Sequence, residues 1–220
     1  MSAFELLIFD MDDTLIASAE TWGTAEARLF TRFGQVRDPR VSELYKGMNA
    51  WDVGRVIYEQ VQPAGYSARE SGRILREYLL EEFSHAPRVL PGADALLRAA
   101  ATRFPLAVAS GSPLEVIESV LARNGWTDCF RLLVSSESVP HGKPAPDVFL
   151  ETAARCGCPP HAALVFEDSL HGVRAAKRAG MTCFVVPSND DPRIPAEADR
   201  TFSSLHDITL DVVERYPTAY

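Results

Sequence analysis

Short apolar runs separated by longer stretches of helical spacing set the tightest limit on how this chain folds. The runs lie at Glu5 to Phe9, Leu106 to Ala109, Leu132 to Val134, Ala163 to Phe166 and Thr182 to Val186. Each has the length and uniform hydrophobicity of a strand buried on both faces. Gly92 to Thr102, Leu114 to Arg123, Ala145 to Cys156 and Leu170 to Ala179 carry apolar residues at helical intervals, with caps or Pro at their starts. That alternation predicts a parallel α/β sheet.

One region departs from it. From about Ala17 to Ala86 no strand is evident, only helical patterns over Ala19 to Phe33, Trp51 to Gln60 and Ala68 to Phe83. Gly34, Pro39, Gly47, Pro63 and Gly65 punctuate them. An all-helical insertion is expected over residues 17–87, returning to the sheet at Val89-Leu90-Pro91-Gly92. The sheet portion is then residues 1–16 and 88–220, with hinge motion expected at the two crossings.

The 220 residues carry a net charge of -8. The insertion holds nine Lys and Arg against ten Asp and Glu, so the acidic excess belongs to the sheet portion. This balance argues against a nucleic-acid or anionic-membrane partner, and an anionic substrate would need local attraction. Glu5 and Asp10 interrupt the amino terminus too early for a signal sequence, and no apolar run has the ~18 residues of a membrane span. A cytoplasmic protein, monomeric or weakly dimeric, is expected. Cys129, Cys156, Cys158 and Cys183 form no Cys-x-x-Cys pair and are expected reduced; Cys156-Gly157-Cys158 with His161 reads as a helix end rather than a metal site.

In an open α/β sheet, ligands bind beyond the carboxyl ends of the strands. The first run is followed by Asp10-Met11-Asp12-Asp13-Thr14, which sets two carboxylates two positions apart where a strand surfaces. The second is followed by Ser110-Gly111-Ser112-Pro113, whose hydroxyls and free N–H groups suit an anion. The third leads to Gly142-Lys143-Pro144-Ala145-Pro146-Asp147, one cation held between prolines, with His141 beside it as a loop residue. The fourth ends at Glu167-Asp168-Ser169. Adjacent carboxylates at a buried strand end repel unless a cation lies between them, so Asp10, the Asp12 carbonyl, Glu167 and Asp168 are expected to hold Mg²⁺ through oxygen ligands alone.

With these clusters in order, the chain resembles the haloacid dehalogenase superfamily. Asp10-Met11-Asp12-Asp13-Thr14 is similar to its first motif, Ser110 to the second, Lys143 to the third and Glu167-Asp168 to the fourth. The resemblance implies a Rossmann-like core with a helical cap after the first strand, and points to the branch of sugar-phosphate phosphatases and β-phosphoglucomutase. It implies Asp10 as a nucleophile that forms an aspartyl-phosphate, and Asp12 as general acid and base. Lys143, Ser110 and Gly111 would hold the phosphoryl group of a small phosphorylated metabolite.

Tyr45-Lys46-Gly47-Met48 resembles the branch's substrate-contacting cap loop, so Lys46 is a candidate substrate residue. Trp22 and Ala50 occupy the positions where the mutase has a His and an Arg, which favours hydrolysis. Trp22 and Trp51 read chiefly as helix-bundle core, with stacking on a sugar as the alternative. A phosphomutase and a catalytically silent phosphate-binding module are the competing functional readings.

Overall fold

The computed structural model describes residues 4–42, 44–85 and 87–217. Strand β1 (Leu6–Phe9) and the short β2 (Ile16–Ala17) precede helices α1 (Ala19–Arg32), α2 (Pro39–Ser42), α3 (Ala50–Val61) and α4 (Ala68–Glu82). There follow β3 (Arg88–Val89), α5 (Ala93–Ala101), β4 (Leu106–Ser110), α6 (Leu114–Arg123), β5 (Leu132–Ser135), α7 (Asp147–Cys156), β6 (Ala163–Glu167) and α8 (Leu170–Arg178). The chain continues through β7 (Thr182–Val185), α9 (Arg193–Glu197), β8 (Arg200–Thr201) and α10 (Leu210–Glu214).

Six strands form one parallel sheet in the order β5-β4-β1-β6-β7-β8. The strand order reverses around β1, which has β4 on one side and β6 on the other. Alternation of side chains along each strand divides the core into two faces. Leu7, Phe9, Leu106, Val108, Leu164 and Phe166 join the cluster that includes Leu97 of α5 and Ile117 of α6. Leu6, Ile8, Ala107, Ala109, Ala163 and Val165 join that of Phe149 of α7 and Val173 of α8. Stacking of Phe9 on Phe166, with ring centroids 4.4 Å apart, ties the first and sixth strands together where they approach the site.

Several expected boundaries move by a residue, and the moves matter. The second and fourth runs continue to Ser110 and Glu167, so these polar residues end strands instead of starting loops. Ladder hydrogen bonds fix their backbones, which a pattern based on hydrophobicity cannot register. Ile16–Ala17 and Arg88–Val89 pair antiparallel, so a two-residue ribbon joins the crossings to and from the helical segment. This corrects the reading of Ala17 as helical insertion. The short β8 also escaped the sequence reading, since two residues carry no periodicity.

Helices α1, α3 and α4 bury Leu29, Ile57 and Leu75 against one another. Asn49 caps α3 by accepting from the Asp52 N–H, and Ser67 with Glu70 forms a reciprocal capping box on α4. The closest approach of α3 and α4 is at two glycines: a Cβ on Gly54 would overlap the backbone of Gly72. Gly54→Ala is therefore expected to destabilise the protein by about 1–3 kcal/mol through forced separation of these helices. The check is a lower urea midpoint at unchanged slope; an unshifted midpoint would mean that the helices part freely.

Candidate active site

All four sequence-predicted clusters meet at the carboxyl ends of β1, β4, β5 and β6. Asp10 leaves β1 with its N–H bound to the Phe166 carbonyl at 2.9 Å, which anchors the nucleophile candidate to the neighbouring strand. Lys143 reaches in from the loop between β5 and α7. Its Nζ donates to Asp10 Oδ1 at 2.6 Å, to Glu167 Oε1 at 2.7 Å and to the Ala109 carbonyl at 3.0 Å. The ammonium is 1% exposed, so it has exchanged water for three fixed acceptors. Burial pulls its pKa down, but Asp10 and Glu167 outweigh burial and hold it above its ordinary value.

Glu167 is fixed from its other side. Oε2 accepts from the N–H groups of Asp168 and Ser169 at 3.1 and 3.2 Å and from Ser169 Oγ at 3.1 Å. Ser169 also caps α8 by accepting from the Gly172 N–H. A Cβ at Gly172 would overlap the Glu167 carboxylate, so only glycine leaves room there for this side chain.

Asp12 stands apart from this group. Oδ2 accepts from Ser110 Oγ at 2.9 Å and Ser112 Oγ at 2.8 Å, and Oδ1 accepts from Trp22 Nε1 at 3.0 Å. Burial raises its pKa against the lowering effect of these donors. Trp22, expected chiefly in the helix-bundle core, thus reaches the site, while Trp51 is 36% exposed and lies against Gly72. His141 is a loop side chain within 3.0 Å of Asp147 Oδ2.

One carboxylate oxygen each from Asp10, Glu167 and Asp168 lies within 4.8 Å of the others. The Asp12 carboxylate takes no part in this trio, so only its backbone carbonyl is left for the expected metal role. Asp168 accepts from Thr14 Oγ1 at 3.4 Å through Oδ1, whereas its buried Oδ2 has no hydrogen-bond partner among the described residues. A buried orphan oxygen beside two further carboxylates is a fit for a hard divalent cation. Burial raises the Asp10 and Asp168 pKa values, and neighbouring carboxylates raise them further.

The helical segment closes over these strand ends. A Cβ on Gly111 would lie 2.7 Å from the Met48 carbonyl, and one on Gly47, at φ +84°, 2.6 Å from Ser169 Oγ. The Lys46 carbonyl accepts from His171 Nδ1 at 2.7 Å, and its ammonium lies 3.8 Å from Asp13 Oδ2. The result is a cavity of about 150 Å³ with Asp10, Asp12, Gly111 and Asp168 at one end and Glu26, Arg37, Ser42 and Tyr45 lining it elsewhere. These last four make a cluster that the sequence analysis did not single out, because helical spacing alone gave no reason to separate Glu26 from the exposed charges of α1.

Residues 7–186 match the haloacid dehalogenase-like hydrolase family. The chain belongs to that family. Fructose-1-phosphate phosphatase YqaB of Escherichia coli is 33% identical to this hydrolase over 80% of the chain and 92% of its own length. The bifunctional riboflavin kinase/FMN phosphatase of Arabidopsis thaliana is 33% identical over 93% of the chain, which spans only 54% of that longer protein. CbbY of Rhodobacter sphaeroides, solved in complex with xylulose-(1,5)-bisphosphate, superposes with a TM-score of 0.83 at 25% identity, covering 96% of this chain and 99% of that one. Among the described residues no helix is long and apolar enough to cross a membrane.

The raised pKa values have a consequence for the metal-free hydrolase. A carboxylate that titrates higher when folded binds protons more tightly in that state, so its contribution to stability falls as pH rises from the ordinary 3.8 through the folded value. A divalent cation would take the place of those protons. Mg²⁺ is expected to raise Tm more at about pH 7.5 than at about pH 5, and Asp168→Asn to shrink the shift. Thermal melts of both proteins check this; equal shifts under all conditions would remove the trio as the seat of the metal.

Proposed function

We propose that this hydrolase is a Mg²⁺-dependent phosphatase of small phosphorylated metabolites, sugar or sugar-acid phosphates, working through an aspartyl-phosphate on Asp10. The observation that carries the reading is the joint placement of Asp10, Asp12 and Asp168 in the lining of a single cavity, with Asp10 held from behind by the buried Lys143. The relatives named as phosphatases support the reaction class.

Asp10 needs no base to become a nucleophile, since an ionised carboxylate attacks phosphorus directly. Lys143 bonded to Oδ1 stops the carboxylate from rotating and supplies positive charge to the incoming phosphoryl oxygens. Mg²⁺ held by Asp10, Glu167, Asp168 and the Asp12 carbonyl would neutralise the remaining oxygen charge that otherwise repels an anionic nucleophile. Ser110 and the Gly111 backbone complete the phosphate cradle.

Asp12 begins protonated and gives its proton to the leaving alkoxide as the phosphoryl group moves to Asp10. The indole of Trp22 can only donate, so it claims Oδ1 and leaves the proton to Oδ2, which can give it to one of the Ser110 and Ser112 hydroxyls while accepting from the other. In the second half-reaction Asp12 takes a proton from water, whose oxygen attacks phosphorus and breaks the P–O bond of the acyl phosphate, releasing the Asp10 carboxylate. Inorganic phosphate leaves and both carboxyl groups return to their starting states. Residues 17–87 act as a cap that excludes bulk water from these steps, with Lys46 at its rim contacting substrate.

A sugar-phosphate panel with and without Mg²⁺ tests the reading by release of inorganic phosphate. Asp10→Asn is expected to reduce release to background, and Asp12→Asn to lower kcat by roughly 100 to 10,000-fold. A phosphate-sugar isomer as product, without free phosphate, would identify a phosphomutase instead. Full activity in Asp10→Asn would remove the nucleophile.

A further inference from the structure

We propose that the cluster of Glu26, Arg37, Ser42 and Tyr45 is a specificity subsite for the uncharged, polyhydroxylic arm of a phosphate monoester, selecting against substrates with a second anionic group. The proposal rests on the phosphatase reading, because it uses Asp10 to define the end of the cavity that holds the transferred group.

The cluster is built around one carboxylate. Glu26 Oε2 accepts from Arg37 Nε at 2.6 Å, from Ser42 Oγ at 2.9 Å and from Tyr45 OH at 3.1 Å. A second Arg37 nitrogen donates to Ser42 Oγ at 2.6 Å. Glu26 is 4% exposed and Tyr45 2%. Among the described residues the donors to Glu26 all converge on Oε2, so the partner oxygen remains an acceptor for an incoming group. Helix packing alone gives no reason for a buried charge at this place, since Ala25 and Leu29 of the same helix already supply the apolar contacts. The cluster also shares its cavity with Asp10, Asp12 and Asp168.

Charge pairing defines what can enter. Arg37 and Lys46 are the cations lining this cavity among the described residues, and each already faces a carboxylate, Glu26 or Asp13. A second phosphate or a carboxylate would have to lose water beside those carboxylates, whose charge already offsets that of Arg37 and Lys46. Hydroxyl groups meet no such barrier: each can donate to Glu26, Asp13 or the Ser42 and Tyr45 oxygens, and accept from a further Arg37 N–H. Trp22, Met48 and Val53 supply apolar wall for the carbon skeleton between. The cavity of about 150 Å³ serves the phosphoryl end as well, so the arm it admits is short.

The test compares fructose 1-phosphate with fructose 1,6-bisphosphate, with phosphoglycolate, and with p-nitrophenyl phosphate, whose leaving group has no aliphatic hydroxyl. Wild type is expected to favour fructose 1-phosphate over the bisphosphate and phosphoglycolate by at least about tenfold in kcat/KM. Tyr45→Phe and Glu26→Gln are each expected to lower the ratio of kcat/KM for fructose 1-phosphate to that for p-nitrophenyl phosphate about tenfold, mainly through KM. A preference for either substrate with an anionic arm overturns the proposal, as does a proportional fall on both reporter substrates, which is the mark of a structural role. Tyr45→Phe removes one oxygen and keeps the test decisive should Glu26→Gln fold poorly. Failure of wild type to release phosphate from any of the four with Mg²⁺ overturns the phosphatase reading; release without the stated selectivity overturns the subsite alone.

Discussion

A buried ammonium shared between two carboxylates organises this molecule. Lys143 sits between Asp10 and Glu167 with almost no contact with water and donates a hydrogen bond to each. The partners come from three distant parts of the chain, so the sheet order must be correct before any pair can form. Asp168 adds a further buried acid whose outer oxygen no described side chain satisfies. Three carboxyl groups gathered beside one ammonium make a site that fits a divalent cation.

The sheet delivers these groups because its strands run parallel and end together. Ser110 and Glu167 are the last ladder residues of β4 and β6, and Asp10 is held to the Phe166 carbonyl immediately beyond β1. Backbone hydrogen bonds therefore set the positions of groups whose side chains do the chemistry. Beneath them the stacked rings of Phe9 and Phe166 supply packing with little freedom to shift. Gly172 shows the same constraint from the opposite direction, since the space that Glu167 occupies is the space where a larger residue would have its Cβ.

The helical segment contributes in a different manner. Two of its close approaches to the sheet portion run through backbone and glycine, at Gly47 against Ser169 and at Met48 over Gly111. Side chains also cross the boundary, the Arg76 guanidinium to Glu115 and Glu137 and the Trp22 indole N–H to Asp12. Trp22 thereby links the arrangement of the helices to the orientation of Asp12. The polar cluster around Glu26 lies deeper in the same segment, where it shapes the part of the cavity remote from phosphorus.

Legible in the amino-acid chain alone were the parallel α/β architecture, a helical stretch after the first strand, and Asp10, Asp12, Ser110, Lys143, Glu167 and Asp168 as candidate site residues. Hydrophobic period marks strands and helices locally, and chemistry-bearing residues at strand ends follow from parallel topology. The sequence also suggested the Lys46 loop. Only the tertiary structure decided that the Asp12 carboxylate faces Ser110, Ser112 and Trp22 rather than the acidic trio, that Ile16–Ala17 pairs with Arg88–Val89, and that Glu26 meets Tyr45 inside the cavity. Each of those depends on side-chain direction or pairing between segments far apart in sequence, and local periodicity carries no information about either.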